Sequence, residues 1–165
     1  MEANFKSRPL LSQTLTNTTL WVGHLSSDPN DHIAGQTFTS PADGTLNNIQ
    51  VFSLAVPQPG QLMLTLHKFD CGSREWGPAI ASSQQVVDKN DEASWLRFGL
   101  DPVALQKDAC YGFRLQTHDA FVGLGEAASH AKQPFPFGVS WNGDGVNLRG
   151  EYYNYFSLAF KVEVA

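Results

Sequence analysis

Phe156-Ser157-Leu158-Ala159-Phe160-Lys161-Val162-Glu163-Val164 is the stretch that decides the fold class. Phe156, Leu158, Phe160, Val162 and Val164 alternate with small or charged residues, and only an extended strand puts all five apolar side chains on one face. A helix would scatter them around its circumference. The expectation is a half-buried strand, and with it a sheet that has one dry and one wet face.

The same period of two recurs upstream. Leu62, Leu64 and Leu66 alternate with Met63, Thr65 and His67; Leu96 and Phe98 with Trp95 and Arg97; Tyr111, Phe113 and Leu115 with Cys110, Gly112 and Arg114. Further strands are expected over Leu15–Trp21, Gly35–Thr39, Leu46–Leu54, Ala81–Val87 and Ala120–Gly123. Turn chemistry separates them at Pro41–Gly44, Pro57–Gly60, Asp70–Ser73, Asp88–Asp91 and Asn142–Gly145. No window of helical length sustains an apolar i, i+3, i+4 pattern. At most one short helical turn is expected, over Asp101–Asp108, where Pro102 suits a first turn. This pattern predicts an all-β chain built as a two-sheet antiparallel β-sandwich. The long connection from Gly125 to Val139 favours a jelly roll over a simple meander, and a closed barrel is the competing architecture. Residues 1–12 read as a flexible N-terminal segment and 13–165 as a single β-sandwich domain.

The sequence has 165 residues, 42% of them hydrophobic, which is enough for one core. Only 11 Lys and Arg and a formal charge of -5 exclude a phosphate-tracking surface, so no nucleic-acid partner is expected. No apolar run approaches a bilayer-spanning length, and no membrane insertion is expected. The first residues lack the continuous apolar stretch of a secretory signal peptide. Cys71 and Cys110 neither cluster nor repeat; one looks like a loop residue and the other a strand residue, which favours two free thiols over a bridge.

A longer phrase carries a family likeness. Gly35-Gln36-Thr37-Phe38-Thr39-Ser40-Pro41-Ala42-Asp43-Gly44-Thr45-Leu46, followed by Ile49-Gln50-Val51, resembles the opening of a bacterial and phage β-sandwich accessory module, the choice-of-anchor R type. Leu62 to Phe69, Trp95 to Phe98, Leu105 to Leu115 and Tyr155 to Val162 are similar to later strands of that module in the same order. Asp108 stands where its turn carries Gly, and Asn154-Tyr155-Phe156 departs from its usual aromatic and acidic pair. The resemblance implies a carbohydrate-binding-like jelly roll in an extracellular, surface or virion setting, and it supplies no catalytic set to transfer.

Sugar rings stack their C–H faces on Trp and Tyr, so Trp21, Trp76, Trp95, Trp141, Tyr152, Tyr153 and Tyr155 are the first candidates. Trp76 and Trp141 sit in polar, loop-like contexts, and Trp95 is set to look outward from a strand. The expected ligand set is Trp76, Trp95 and Trp141 for stacking, with Arg74, Asn142 and Asp144 for hydrogen bonds. Rings that cap the ends of the core are the bland alternative for each Trp. Asp28, Asp31 and Asp144 lie in loops whose spacing admits calcium, although solvated turns explain the same residues. Gly112, Ser157 and Ala159, on the expected outer faces, would suit packing against further copies of the chain. His24, His32, His67, His118 and His130 form no metal-binding pair, His67 reading as an exposed strand residue, and no P-loop, nucleophile elbow or paired carboxylates appear. The functional expectation is a non-catalytic module that binds carbohydrate or a cell-surface polymer. A self-associating structural or assembly subunit, as in a phage-like or surface appendage, is the alternative, and an uncharacterised hydrolase ranks third.

Overall fold

Period-two patterning becomes strand along almost the whole chain. The computed structural model describes residues 7–24, 31–144 and 150–165. In chain order the strands are β1 (Arg8–Gln13), β2 (Thr18–Gly23), β3 (His32–Thr39), β4 (Gly44–Gln58), β5 (Gly60–Asp70), β6 (Glu75–Val87), β7 (Ser94–Gly99), β8 (Ala104–Leu105), β9 (Cys110–Thr117), β10 (Phe121–Ala128), β11 (Ser140–Asp144), β12 (Gly150–Tyr153), β13 (Phe156–Leu158) and β14 (Phe160–Val164). The single helical element among the described residues is a 3-10 turn at Lys89–Asp91, closed by reciprocal caps between Asp88 and Asp91. The turn expected over Asp101–Asp108 is instead extended, because Ala104 and Leu105 pair with Thr45 and Gly44 of β4.

All pairings are antiparallel and link the strands into one curled sheet in the order β1-β14-β4-β10-β2-β3-β9-β5-β6. The fifteen-residue β4 holds the curl together. Its first part lies between β14 and β7, and its second part moves on to β10 through irregular register. The closing segment makes the same transition in reverse: β13 pairs with β10, the chain breaks step at Ala159, and β14 continues between β1 and β4.

The core lies inside the curl. Leu62, Leu64 and Leu66 of β5, Phe113 and Leu115 of β9, and Leu158, Phe160 and Val162 of the last segment meet there in one apolar cluster. At roughly 25 cal/mol per Å² of apolar area buried, this cluster is the main stabilising contribution. Ser157 and Ala159 are also fully buried, so they offer no surface to another copy. Gly112 is likewise covered, by the ring of Trp76. The expected packing faces are thus already filled by the chain itself.

The Cys71–Cys110 pair forms a disulfide, with Cα atoms 6.3 Å apart, which corrects the expectation of free thiols. Its cause is register: Lys68 of β5 lies opposite Tyr111 of β9, so the turn after β5 arrives beside the start of β9. No helix among the described residues is long and apolar enough to cross a membrane.

Candidate functional site

Two aromatic clusters stand on the outer side of the sheet. In the first, Trp141 and Trp76 come together at 5.5 Å, edge to face. Neither is a loop residue: Trp76 lies in β6 opposite Phe69, and Trp141 lies in β11 opposite Gly35. The Asn142–Gly145 turn expected from sequence is strand as far as Asp144, and Gly145 falls outside the described residues. Space for both indoles comes from missing side chains. A Cβ on Gly112 would meet the Trp76 ring at 2.5 Å, and one on Gly35 would meet Trp141 at 2.9 Å; Gly143 and Gly150 clear the far side of Trp141.

The Arg114 guanidinium is clasped between these rings, 4.1 Å from the Trp76 centroid and 4.9 Å from that of Trp141. Burial pulls its pKa below the ordinary arginine value, and the nearby Tyr152 works the other way. No carboxylate pairs with it among the described residues, so the two indole faces supply its main electrostatic compensation. Trp76 Nε1 donates to Tyr152 Oη at 3.0 Å, and Tyr152 in turn donates to the Arg74 carbonyl at 3.1 Å. The Arg74 side chain lies over the Tyr152 ring. Trp141 is 1% exposed and presents no open face to a ligand.

His67 packs edge-on against Trp76 and is buried, where the sequence reading had it exposed. The reason is the irregular register at the end of β5, which lets the β6 chain fold over it. Its Nδ1 bonds the Gly77 carbonyl and its Nε2 the Thr65 hydroxyl, each at 2.8 Å. Burial lowers its pKa; the Gly77 bond opposes this, and the charge on Arg114 adds to it.

The remaining expected residues lie elsewhere. Trp95 does face outward from β7, but Lys161 Nζ sits over its ring at 4.1 Å and Phe52 meets it edge-on. Asp31 Oδ1 lies 3.0 Å from His24 Nδ1. Asp144 ends β11 opposite His32 in the ladder. Asp28 falls outside the described residues, among which no group of three His, Cys, Asp or Glu could hold a metal ion.

The second cluster is open. Among the described residues β2 and β3 share one bridge, Gly23 to His32, and then part: from Ala34 onward β9 takes up that edge of β3, while β11 runs along the opposite edge. Where they separate there is a cleft of about 460 Å³, lined by Thr19, Leu20 and Trp21 of β2, His32 and Ile33 of β3, Phe121 of β10, and Asn142 and Gly143 of β11. Phe121 stacks on Trp21 with centroids 4.8 Å apart and planes 1° from parallel. Gly123, opposite Trp21 in the ladder, leaves room for the indole, since a Cβ there would meet the ring at 2.9 Å. Trp21 nonetheless remains 39% exposed. The arrangement is a flat, braced apolar plate beside hydroxyl, amide and imidazole groups, the combination that small-ligand sites use. Asn142 is the one member of the expected ligand set that lines it.

A buried carboxyl completes the inventory. Glu126 of β10 shares the core-facing parity of Val122 and Leu124. Burial pushes its pKa up to about 7, and the Ser140 hydroxyl opposes the shift. That opposition comes without a well-formed hydrogen bond: Glu126 Oε2 and Ser140 Oγ are both buried with no partner. Neither Glu126, Arg114 nor Phe121 stood out in the sequence. The available signals were a lone charge in an apolar strand and the glycines spaced along Phe121-Val122-Gly123-Leu124-Gly125. No family model matches this chain, and no curated protein matches it.

Proposed function

We propose that the chain is a non-catalytic module that binds a carbohydrate or another surface polymer, with the Trp21–Phe121 cleft as its site. The observation that carries this reading is the braced, part-exposed indole set in a cleft with polar neighbours. We propose also that the curled sheet is a two-sheet, jelly-roll-like sandwich of the kind found in the bacterial and phage accessory modules it resembles. The passage of β4 from β14 and β7 to β10 supports this, as strands that switch sheets do at sandwich corners. The disulfide supports an extracellular or surface setting, since such bonds persist in oxidising compartments. Retention on immobilised polysaccharides tests the site. Trp21→Ala should abolish retention with a Tm loss of only about 2–4 °C, and Trp95→Ala should leave retention intact. Retention that survives Trp21→Ala would remove the cleft from consideration.

The assembly reading has one observation in its favour. β6 pairs with β5 on one side and, among the described residues, with no strand on the other. It carries no charge from Trp76 to Val87 and exposes Ile80 and Val86. Uncharged edges of this length are sites of strand pairing between chains. Light scattering at micromolar concentration should then show a defined oligomer that Val86→Lys dissociates; a monomer throughout rejects the reading.

A further inference from the structure

Taking the cleft as the binding site, we infer that its ligand is an uncharged pyranose unit, seated with a C–H face on Trp21, and that the cleft turns away uronic and sulfated sugars. The apolar half of the argument is geometric. Phe121 covers one face of the indole in parallel contact and fixes its orientation, while Trp21 stays open to the cleft and Leu20 and Ile33 complete an apolar wall. A pyranose ring offers a flat patch of C–H groups that matches such a plate, and its hydroxyls need directional partners around the rim. Those partners are present. The Thr19 hydroxyl and the Asn142 amide line the cleft, and Asn142 Oδ1 is buried without a hydrogen bond among the described residues. Among the described residues the second edge of β2 has its only ladder partner at Gly23, so main-chain groups along Thr18–Val22 have no paired strand on that side.

The charge half decides between sugar classes. Acidic sugars are held by cations, most effectively by the fork of an arginine. No Lys or Arg lines the cleft among the described residues. The formal charges that flank it in sequence are the carboxylates of Asp31, next to His32, and Asp144, next to Gly143. The His24 imidazole contacts the Asp31 carboxylate at 3.0 Å. Two of the described arginines on the outer side are committed elsewhere: Arg114 between two indoles, and Arg74 over Tyr152. A carboxylate or sulfate entering the cleft would lose hydration and meet no Lys or Arg among the described lining residues, against a net protein charge of -5.

The test uses the full chain and Trp fluorescence titration with length-matched oligosaccharides: neutral gluco-, manno-, galacto- and N-acetylglucosamine series, and oligogalacturonate and heparin fragments as the acidic set. At least one neutral series should saturate the signal, Trp21→Ala should weaken it at least tenfold, and acidic oligomers should bind at least tenfold more weakly. Phe121→Leu provides a second, milder variant that should also weaken binding if Trp21→Ala compromises the fold. Thr19→Arg should bring acidic oligomers into the cleft. Trp21-dependent binding of acidic oligomers that equals or exceeds that of neutral ones overturns the inference and leaves the binding module standing. Absence of Trp21-dependent binding by either set overturns both.

Discussion

Trp141 and Trp21 make the instructive pair. Each projects from an antiparallel strand on the side away from the core, and each lies against strand glycines that clear its ring. Trp141 is then closed over by Trp76 and Arg114 and is 1% exposed, whereas Trp21 is braced by Phe121 on one side and is 39% exposed. An aromatic residue on an outer face is therefore a poor marker of a site on its own. What separates the two is whether a neighbouring strand supplies a roof. β6 and β12 bring Trp76 and Tyr152 to the first cluster, while the parting of β2 from β3 leaves the second uncovered.

The comparison can be broken most decisively by truncation. Trp141→Ala should cost about 3–5 kcal/mol in urea unfolding, as expected for a buried Trp, and Trp21→Ala about 1 kcal/mol. Equal losses would show that the open cluster is structural too. Next comes the covalent tie beside the closed cluster. The disulfide closes a sequence separation of 39 residues, and in the chain-entropy model its removal costs about 4 kcal/mol. The double variant Cys71→Ala/Cys110→Ala should show that loss while keeping Trp21-dependent ligand binding; loss of binding in the still-folded variant would couple the two clusters.

The last effect is a pH dependence at Glu126 of β10, on the core-facing side of the sheet. Folded Glu126 holds its proton up to about 7, against an ordinary value of 4.5. Between those values the folded chain binds the extra proton. Its contribution is whole below about 4.5, falls as pH rises to about 7, and is level above. The total fall is about 3 kcal/mol. His67 acts in the opposite sense, favouring the fold above its ordinary value of 6.5 and losing that contribution as pH falls. Comparing the protein with Glu126→Gln at pH 5 and pH 8 cancels the histidine contribution. The wild-type chain should lose more stability across that interval, and parallel curves would refute the assignment.

The strands were legible because a half-buried strand repeats every second residue, and most turns because Pro, Gly, Asp and Asn mark them. The misread places have a common cause. Asn142-Gly143-Asp144-Gly145 has the composition of a turn, yet Gly143 is there to clear Trp141, a requirement set by the fold rather than by the local chain. The disulfide, the burial of His67 and the sealing of Trp76 all depend on which strands adjoin β5, and that adjacency is a matter of long-range register. The Trp21 cleft was half visible. Trp21 was a candidate ring, but Phe121 beside it and the fork that exposes it come from β10 and β3, far away in sequence.

The disulfide has a bearing on how the molecule survives a cut. It joins the tip of the β5–β6 hairpin to the start of β9, with Cys71 before Arg74 and Cys110 after it. The turn between β5 and β6 is exposed, and Arg74 in it adopts a positive φ of 58°. A trypsin-like protease cleaving after Arg74 would yield two peptides still tied through sulfur. The nicked protein would keep its mass and its hairpin neighbours, and its pieces would part only when a reductant accompanies unfolding.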